Sequence, residues 1–307
     1  MNETILFVLI FTVNAVKSIL PFFLLSISVA SLIKTLKLEQ SFKKAFRGRE
    51  LVSIPVAAGT GAFSPLCSCG VIPAIAAMLA AGIPLAPIMA FWITSPLMSP
   101  ESFVLTYSLL GGGMAVARLT ATLGIGLVAG YSTWYLMKTG RIEPEVLRYS
   151  MGTQGCGTSS CQQESEPDGK WDGKMMKSFI INTITMGIFI GKYILMAFVL
   201  EALIVQYVPV EWVAGLLGSG NDAGPLLAAL VGIPAYASSI SAMPVIRGLM
   251  DLGMDKGTAL AFMIGGAATS IPAMAAVYSI VKRKVFFLYL AYSLVGAVVS
   301  GYLYRLI

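Results

Sequence analysis

The stretch SPLCSCGVIP, residues 64–73, decides how this chain is read. It lies inside an apolar segment, residues 51–81, that a membrane helix would cross unbroken, yet it holds two prolines, a glycine and two of the chain's four cysteines. Pro65 and Pro73 remove backbone donors, while Gly70 permits tight or left-handed geometry. Non-helical backbone at membrane depth is tolerated only where protein or a water-filled cavity satisfies its polar groups. A second half-helix is therefore expected to begin near Gly70, its N-terminus offering partial positive charge to an anion or thiolate. Cys67 or Cys69 at such an end gains thiolate character and becomes a better soft-metal ligand or nucleophile. The competing reading is that each cysteine is a small apolar residue packing a tight bend.

Composition supports the membrane setting. Of 307 residues, 57% are hydrophobic, 12% are charged and none is histidine; the mean hydropathy is +0.81. Soluble domains carry about 25% charged residues. The expected fold class is an all-α polytopic membrane protein with spans of about 20 apolar residues each. Residues 1–36 do not read as a cleavable signal peptide, because they lack a basic n-region and their apolar run far exceeds about 7–15 residues. The net charge of +6 comes mostly from loop Lys and Arg, which sets orientation and speaks against a nucleic-acid partner. Without histidine the common His-based zinc and haem sites are excluded, and no phosphate-binding G-x-x-x-x-G-K-[ST] motif occurs. No cofactor is expected.

Apolar segments fall at 4–33, 51–81, 84–108, 114–137, 177–207, 224–250, 256–280 and 285–305. They divide the chain into a first membrane repeat (1–137), a polar linker (138–176) and a second membrane repeat (177–307). At an offset of 171 residues Pro73 matches Pro244, Gly82 matches Gly253, Phe91 matches Phe262 and Ser99 matches Ser270. The pair Gly130-Tyr131 matches Gly301-Tyr302, and with a small shift KSILPFFLL from Lys17 matches KYILMAFVL from Lys192. Ordered matches of Pro, Gly and Lys indicate two four-segment repeats.

Charge then bears on topology. If all eight segments cross, Lys and Arg divide nine against nine between the two faces. If segments 51–81 and 224–250 are instead re-entrant hairpins, the loops 34–50 and 138–177 share a face with Lys282, Arg283 and Lys284, and the division becomes fifteen against three. The positive-inside rule prefers the second version, with those loops cytoplasmic in a multi-pass protein of the cell membrane. It also makes the repeats inverted, the common plan of secondary transporters, with the two hairpins meeting near the bilayer midplane. The alternative is eight plain spans with kinks.

The second-half counterpart of the thiol stretch is GIPAYASSISAMP, residues 232–244, which keeps the Gly/Pro punctuation but carries Ser238, Ser239 and Ser241. The expected substrate site joins Ser64, Cys67, Ser68, Cys69 and Gly70 to these three serines. Further Ser/Thr clusters, ITSPLMSPES (93–102) and GGAATSIP (265–272), read as helix packing or kinks. Lys17 and Lys192 sit inside apolar segments at matching positions. Buried charges are functional hypotheses by default: these two can bind an anion, pair with Glu201 or Glu101, or serve proton coupling. Snorkelling to an interface is the alternative. Arg118, near the start of its segment, reads as interfacial. In the linker, GCGTSSCQQ holds Cys156 and Cys161, a transient soft-metal site or an inessential flexible stretch.

The stretches PLCSCGVIPAIAAMLAAGIPLAPIMAFWITSPLMSPES and GIPAYASSISAMPVIRGLMDLGMDKGTALAFMIGG resemble the predicted permease family of the organoarsenical efflux permeases, which has copper and zinc efflux branches. The resemblance covers nearly the whole chain. It implies export of soft, thiol-seeking species, with trivalent organoarsenicals as the best-known substrates and Cys67 and Cys69 as the first candidates to contact them. Relatives often carry a cysteine in the second-half hairpin, where this chain has Ala237, Ser238 and Ser239. The expectation is thus a secondary carrier rather than an enzyme, acting on a small molecule or soft ion within the bilayer. A homo-oligomer is compatible with the sequence. Two alternatives stand beside it, a carrier of a sulfur-containing anion and a membrane thiol oxidoreductase.

Overall fold

The computed structural model describes residues 50–64, 71–80, 83–141, 222–235 and 239–306, with isolated positions 6, 10, 12–14, 17, 192, 195, 196, 199 and 202. Every element among the described residues is an α-helix. Five helices with described bounds precede the linker: α1 (Glu50–Ala62), α2 (Val71–Ala80), α3 (Leu85–Leu97), α4 (Pro100–Leu110) and α5 (Gly112–Lys138). Five follow it: α6 (Gly224–Ala235), α7 (Ser239–Asp251), α8 (Lys256–Thr269), α9 (Ile271–Ile280) and α10 (Arg283–Arg305).

Only α5 and α10, among the described residues, are long and apolar enough to cross a membrane. At about 1.5 Å per residue they reach roughly 40 and 34 Å, beyond the ~30 Å hydrocarbon core. Their exposed residues include the apolar Val116, Val128, Val295, Val299 and Leu303. Lys138 lies 5.2 Å over the Trp134 ring at the end of α5, the aromatic-plus-cation pairing that suits a membrane interface.

The other helices run 10–14 residues, about 15–21 Å, and fall short of a crossing. Helix α1 ends at Ala62, just before the thiol stretch, and α2 is described from Val71 within it. Segments 84–108 and 256–280, which the sequence presents as continuous, are each two helices. Pro96 withdraws a donor, Met98 turns extended at φ −142°, and Ser99 caps α4 by accepting from the Ser102 N–H with Pro100 in the first turn. Ser270 occupies the equivalent junction, with Pro272 just inside α9. The two Ser/Thr clusters are thus helix junctions as well as packing surfaces.

The 171-residue offset recurs in three-dimensional detail. Tyr131 Oη donates to the Leu51 carbonyl at 3.3 Å, and Tyr302 Oη donates to the Asp222 carbonyl at 2.8 Å. The N–H of Ile83 bonds the Met78 carbonyl just as that of Met254 bonds the Leu249 carbonyl. A Cβ on Gly130 would fall 2.5 Å from Ile54 and 3.1 Å from Ala90, and one on Gly301 2.9 Å from Pro225 and 2.8 Å from Ala261. Glycine at both places lets the long helix touch its two neighbours, as small residues do in membrane bundles. The turn at Gly253, at φ +103°, admits glycine without strain.

These contacts also fix helix directions. Near its start α1 meets the first half of α3, where Ile54, Ala86 and Ala90 all adjoin Gly130; near its end Gly61 faces Phe91 and Thr94. So α1 and α3 run parallel. In the second half Pro225 with Gly257 and Ala261, then Gly232 with Phe262 and Gly266, make α6 parallel to α8. The long helices α5 and α10 are antiparallel: Gly113 approaches Tyr304, Ile125 meets Gly296, and Ser132 Oγ lies 2.7 Å from Tyr292 Oη.

Candidate functional site

Ser64 is buried at the end of α1, where its N–H bonds the Gly61 carbonyl at 3.0 Å. Ser239 and Ser241 belong to the first turn of α7. Cys67, Ser68, Cys69, Gly70, Ser238, Glu201, Cys156 and Cys161 lie outside the described residues. Lys17 and Lys192 are helical and exposed, and Glu101 is exposed in the first turn of α4. There Glu101 complements the positive end of the helix.

The sequence-based reading of Arg118 as interfacial is overturned. Its side chain is fully buried within α5. The helix faces α3 and α4 here, so the side chain turns inward along the bundle instead of out to water. Nε donates to the Leu97 carbonyl at 3.1 Å, satisfying an acceptor left open where α3 ends. One terminal nitrogen, Nη1, donates to Thr106 Oγ1 at 3.0 Å. The other, Nη2, is buried with no hydrogen-bond partner. Both ion pairs found among the described residues, Arg247–Asp251 and Arg305–Asp222, lie elsewhere.

Arg118 belongs to a polar cluster at the α3–α4 junction. Thr106 donates its own proton to the Ser102 carbonyl at 2.6 Å, leaving its oxygen to accept from Arg118. The Ser99 hydroxyl donates to Ser102 Oγ at 2.9 Å. Ser95, one turn back on α3, has a buried hydroxyl without a partner. The cluster abuts the second half: Thr106 Oγ1 touches Met243 Sδ at 4.0 Å, and Arg247 Nη1 donates to the Leu109 carbonyl at 3.2 Å. Both Met243 and Arg247 are on α7, the helix that Ser239 and Ser241 begin. Helix α7 of the second half therefore packs onto α4 of the first. Arg118, Thr106 and Met243 were missed as site residues, although a charge at a position whose repeat partner is Tyr289 was a signal in the sequence.

A separate cleft of about 660 Å³ lies between α5 and α10, lined by residues such as Ala117, Ala121, Ile125, Val295 and Val299, with no charged side chain. Among the described residues no group of three or more acidic or thiol side chains is placed to hold a metal ion.

Comparison with known proteins adds the family. A family model described as a predicted permease matches residues 5–306. The chain is similar to UPF0718 protein MJ0584 of Methanocaldococcus jannaschii, at 20% identity over 95% of this chain and 92% of the relative. It is also similar to UPF0718 protein YcgR of Bacillus subtilis, at 22% identity over 90% of this chain and 89% of the relative. No solved structure matches.

Proposed function

The chain belongs to the predicted permease family, and from that premise we propose that it is a secondary carrier exporting a soft, thiol-seeking species by alternating access. The observation that carries the reading is the antiparallel pairing of α5 and α10, the equivalent long helices of the two halves. Equivalent helices that run in opposite directions are what a pseudo-twofold axis in the membrane plane produces, the plan of inverted-repeat transporters. Parallel running of α1 with α3 supports the re-entrant version of segment 51–81. Two neighbours joined through a returning helix enter from the same side, and α6 with α8 repeats this. In this reading the basic loops 34–50 and 138–177 are cytoplasmic, and the hairpin tips meet where α7 crosses onto α4.

The cargo is assigned by ligand chemistry. Trivalent arsenic and Cu(I) prefer thiolates, and in this reading Cys67 and Cys69 supply two, with Ser238, Ser239 and Ser241 proposed from the second half. Trivalent organoarsenicals are the first choice and a soft metal ion the second. The apolar cleft beside α5 and α10 suits a cargo with methyl or aryl groups. Lys17, Lys192 and Glu201 remain the residues proposed for coupling, and Cys156 with Cys161 for transient capture of soft cargo in the linker.

Everted membrane vesicles test the proposal. With a panel of methylarsenite, phenylarsenite, Cu(I), Zn(II), thiosulfate and sulfite, the expected result is energy-dependent accumulation of an arsenical or Cu(I), absent from vesicles without the protein. Accumulation of thiosulfate or sulfite alone would replace this reading with the sulfur-anion carrier. A Cys67–Cys69 disulfide that cycles during turnover, seen by thiol trapping, would favour the oxidoreductase.

A further inference from the structure

The two halves treat one carbonyl position differently. At the end of α3 the Leu97 carbonyl accepts from Arg118, and 171 residues later the Ala268 carbonyl accepts from Tyr289 Oη. The scaffold task is the same: a buried side chain on the long helix satisfies a carbonyl at the end of its broken neighbour. Tyr289 performs it without a charge. Arg118 brings in addition a guanidinium that stays protonated in proteins, wholly buried and with Nη2 unpartnered. Around it the first half has hydroxyls at Ser95, Ser102 and Thr106 where the second half has Gly266, Ala273 and Val277. Charge and hydroxyls have been added to one copy of a repeated junction whose architecture does not need them.

We propose that Arg118 and the hydroxyls beside it form a binding site for a small oxyanion, inside the bundle and against α7. A guanidinium buried inside the bundle is costly when its charge is left uncompensated, and its N–H groups match oxygen acceptors in direction better than they match a spherical halide. Nη2 supplies free donors, and Ser95, on the helix whose end Arg118 caps, carries a further buried hydroxyl without a partner. Thr106 links this charge to Met243, so an anion bound here sits at the contact between the first repeat's broken helix and the second repeat's hairpin. Its occupancy bears on how α7 packs against α4, the interface that alternating access would rearrange. The site is built from residues other than the two thiols and does not depend on the identity of the exported cargo.

The test uses the full chain in lipid nanodiscs and reads thermal unfolding against added sodium thiosulfate, sulfate, acetate and chloride at constant ionic strength. Wild type is expected to show a saturable rise in Tm with at least one oxyanion and none with chloride. Arg118→Tyr installs the residue that the second half carries at this position, so the carbonyl keeps a donor while the charge is lost. It is expected to weaken the apparent affinity by about tenfold or more, the scale of one hydrogen bond to a charged group. Arg118→Lys retains a response that Arg118→Gln lacks. No saturable shift in wild type, an equal shift with chloride, or an unchanged response in Arg118→Tyr each overturns the proposal. If Arg118→Tyr does not fold, the wild-type titration and the Lys/Gln pair still decide. Cys67→Ser is expected to keep the full anion response while losing export, which separates failure of this site from failure of the cargo assignment.

Discussion

The junction between α3 and α4 and the junction between α8 and α9 share a framework but not a chemistry. Each has a serine at the break, Ser99 or Ser270, and a long helix that seats its neighbours on a glycine, Gly130 or Gly301. Each has a buried side chain satisfying the carbonyl two residues before that serine. Around the first junction lie Arg118, Ser95, Ser102 and Thr106; around the second lie Tyr289, Gly266, Ala273 and Val277. Tyr289 stacks on Trp92 of the first half at 4.9 Å, so the neutral copy serves as packing between the halves. The two junctions share backbone contacts at a 171-residue offset and differ in the side chains around them.

The comparison is most exposed to a topology experiment, which has an all-or-none outcome. Single cysteines at Pro84 and Asp255, equivalent positions before α3 and α8, are expected to react with a membrane-impermeant thiol reagent from opposite faces, Pro84 from the same face as Lys43. Labelling of both from one face would remove the inversion and restore parallel halves.

Export is the next largest effect. Cys67→Ser is expected to abolish vesicle transport of the arsenical with expression intact; undiminished export would reduce the thiols of the first hairpin to packing residues.

Smaller, and expected to be symmetrical, is the response of the glycine seams. Gly130→Ala and Gly301→Ala each force a methyl to within 3 Å of a neighbouring side chain, and overpacking of this kind costs roughly 1–3 kcal/mol. Similar losses of Tm in the two variants would sharpen the equivalence, whereas a loss in only one would confine the close packing to that half.

Smallest is Tyr289→Phe. It removes one hydrogen bond to the Ala268 carbonyl and keeps the ring on Trp92, so a loss of about 1 kcal/mol is expected with transport unchanged. A transport defect there would show that the second junction also has a chemical role.

Much of this plan was legible in the linear sequence because backbone constraints leave a residue signature. Proline and glycine at 65, 70 and 73 announced an interruption, and α1 does end at Ala62. The 171-residue offset was visible through Pro, Gly and Ser, which recur because each answers a local conformational demand. The breaks at Met98 and Ser270 were harder to read, since their Ser/Thr clusters serve equally well as helix-internal hydroxyls bonded to their own backbone. Thr94 does this on α3, donating to the Ala90 carbonyl at 2.9 Å. Arg118 was misread because distance along a segment was taken as depth in the membrane. With α3 and α4 each too short to cross, the start of α5 lies against a junction between helices instead of against water.

The sequence by itself determined the all-helical membrane character, the family resemblance and the position of the first interruption, because hydrophobicity, proline and glycine act locally and are written residue by residue. Tertiary structure alone decided that α1 runs parallel to α3, that α5 runs antiparallel to α10, and that Arg118 is enclosed beside Thr106 and Met243. Those are relations between segments far apart in the chain, and they arise only when small residues on one helix let another approach closely enough to bury a charge.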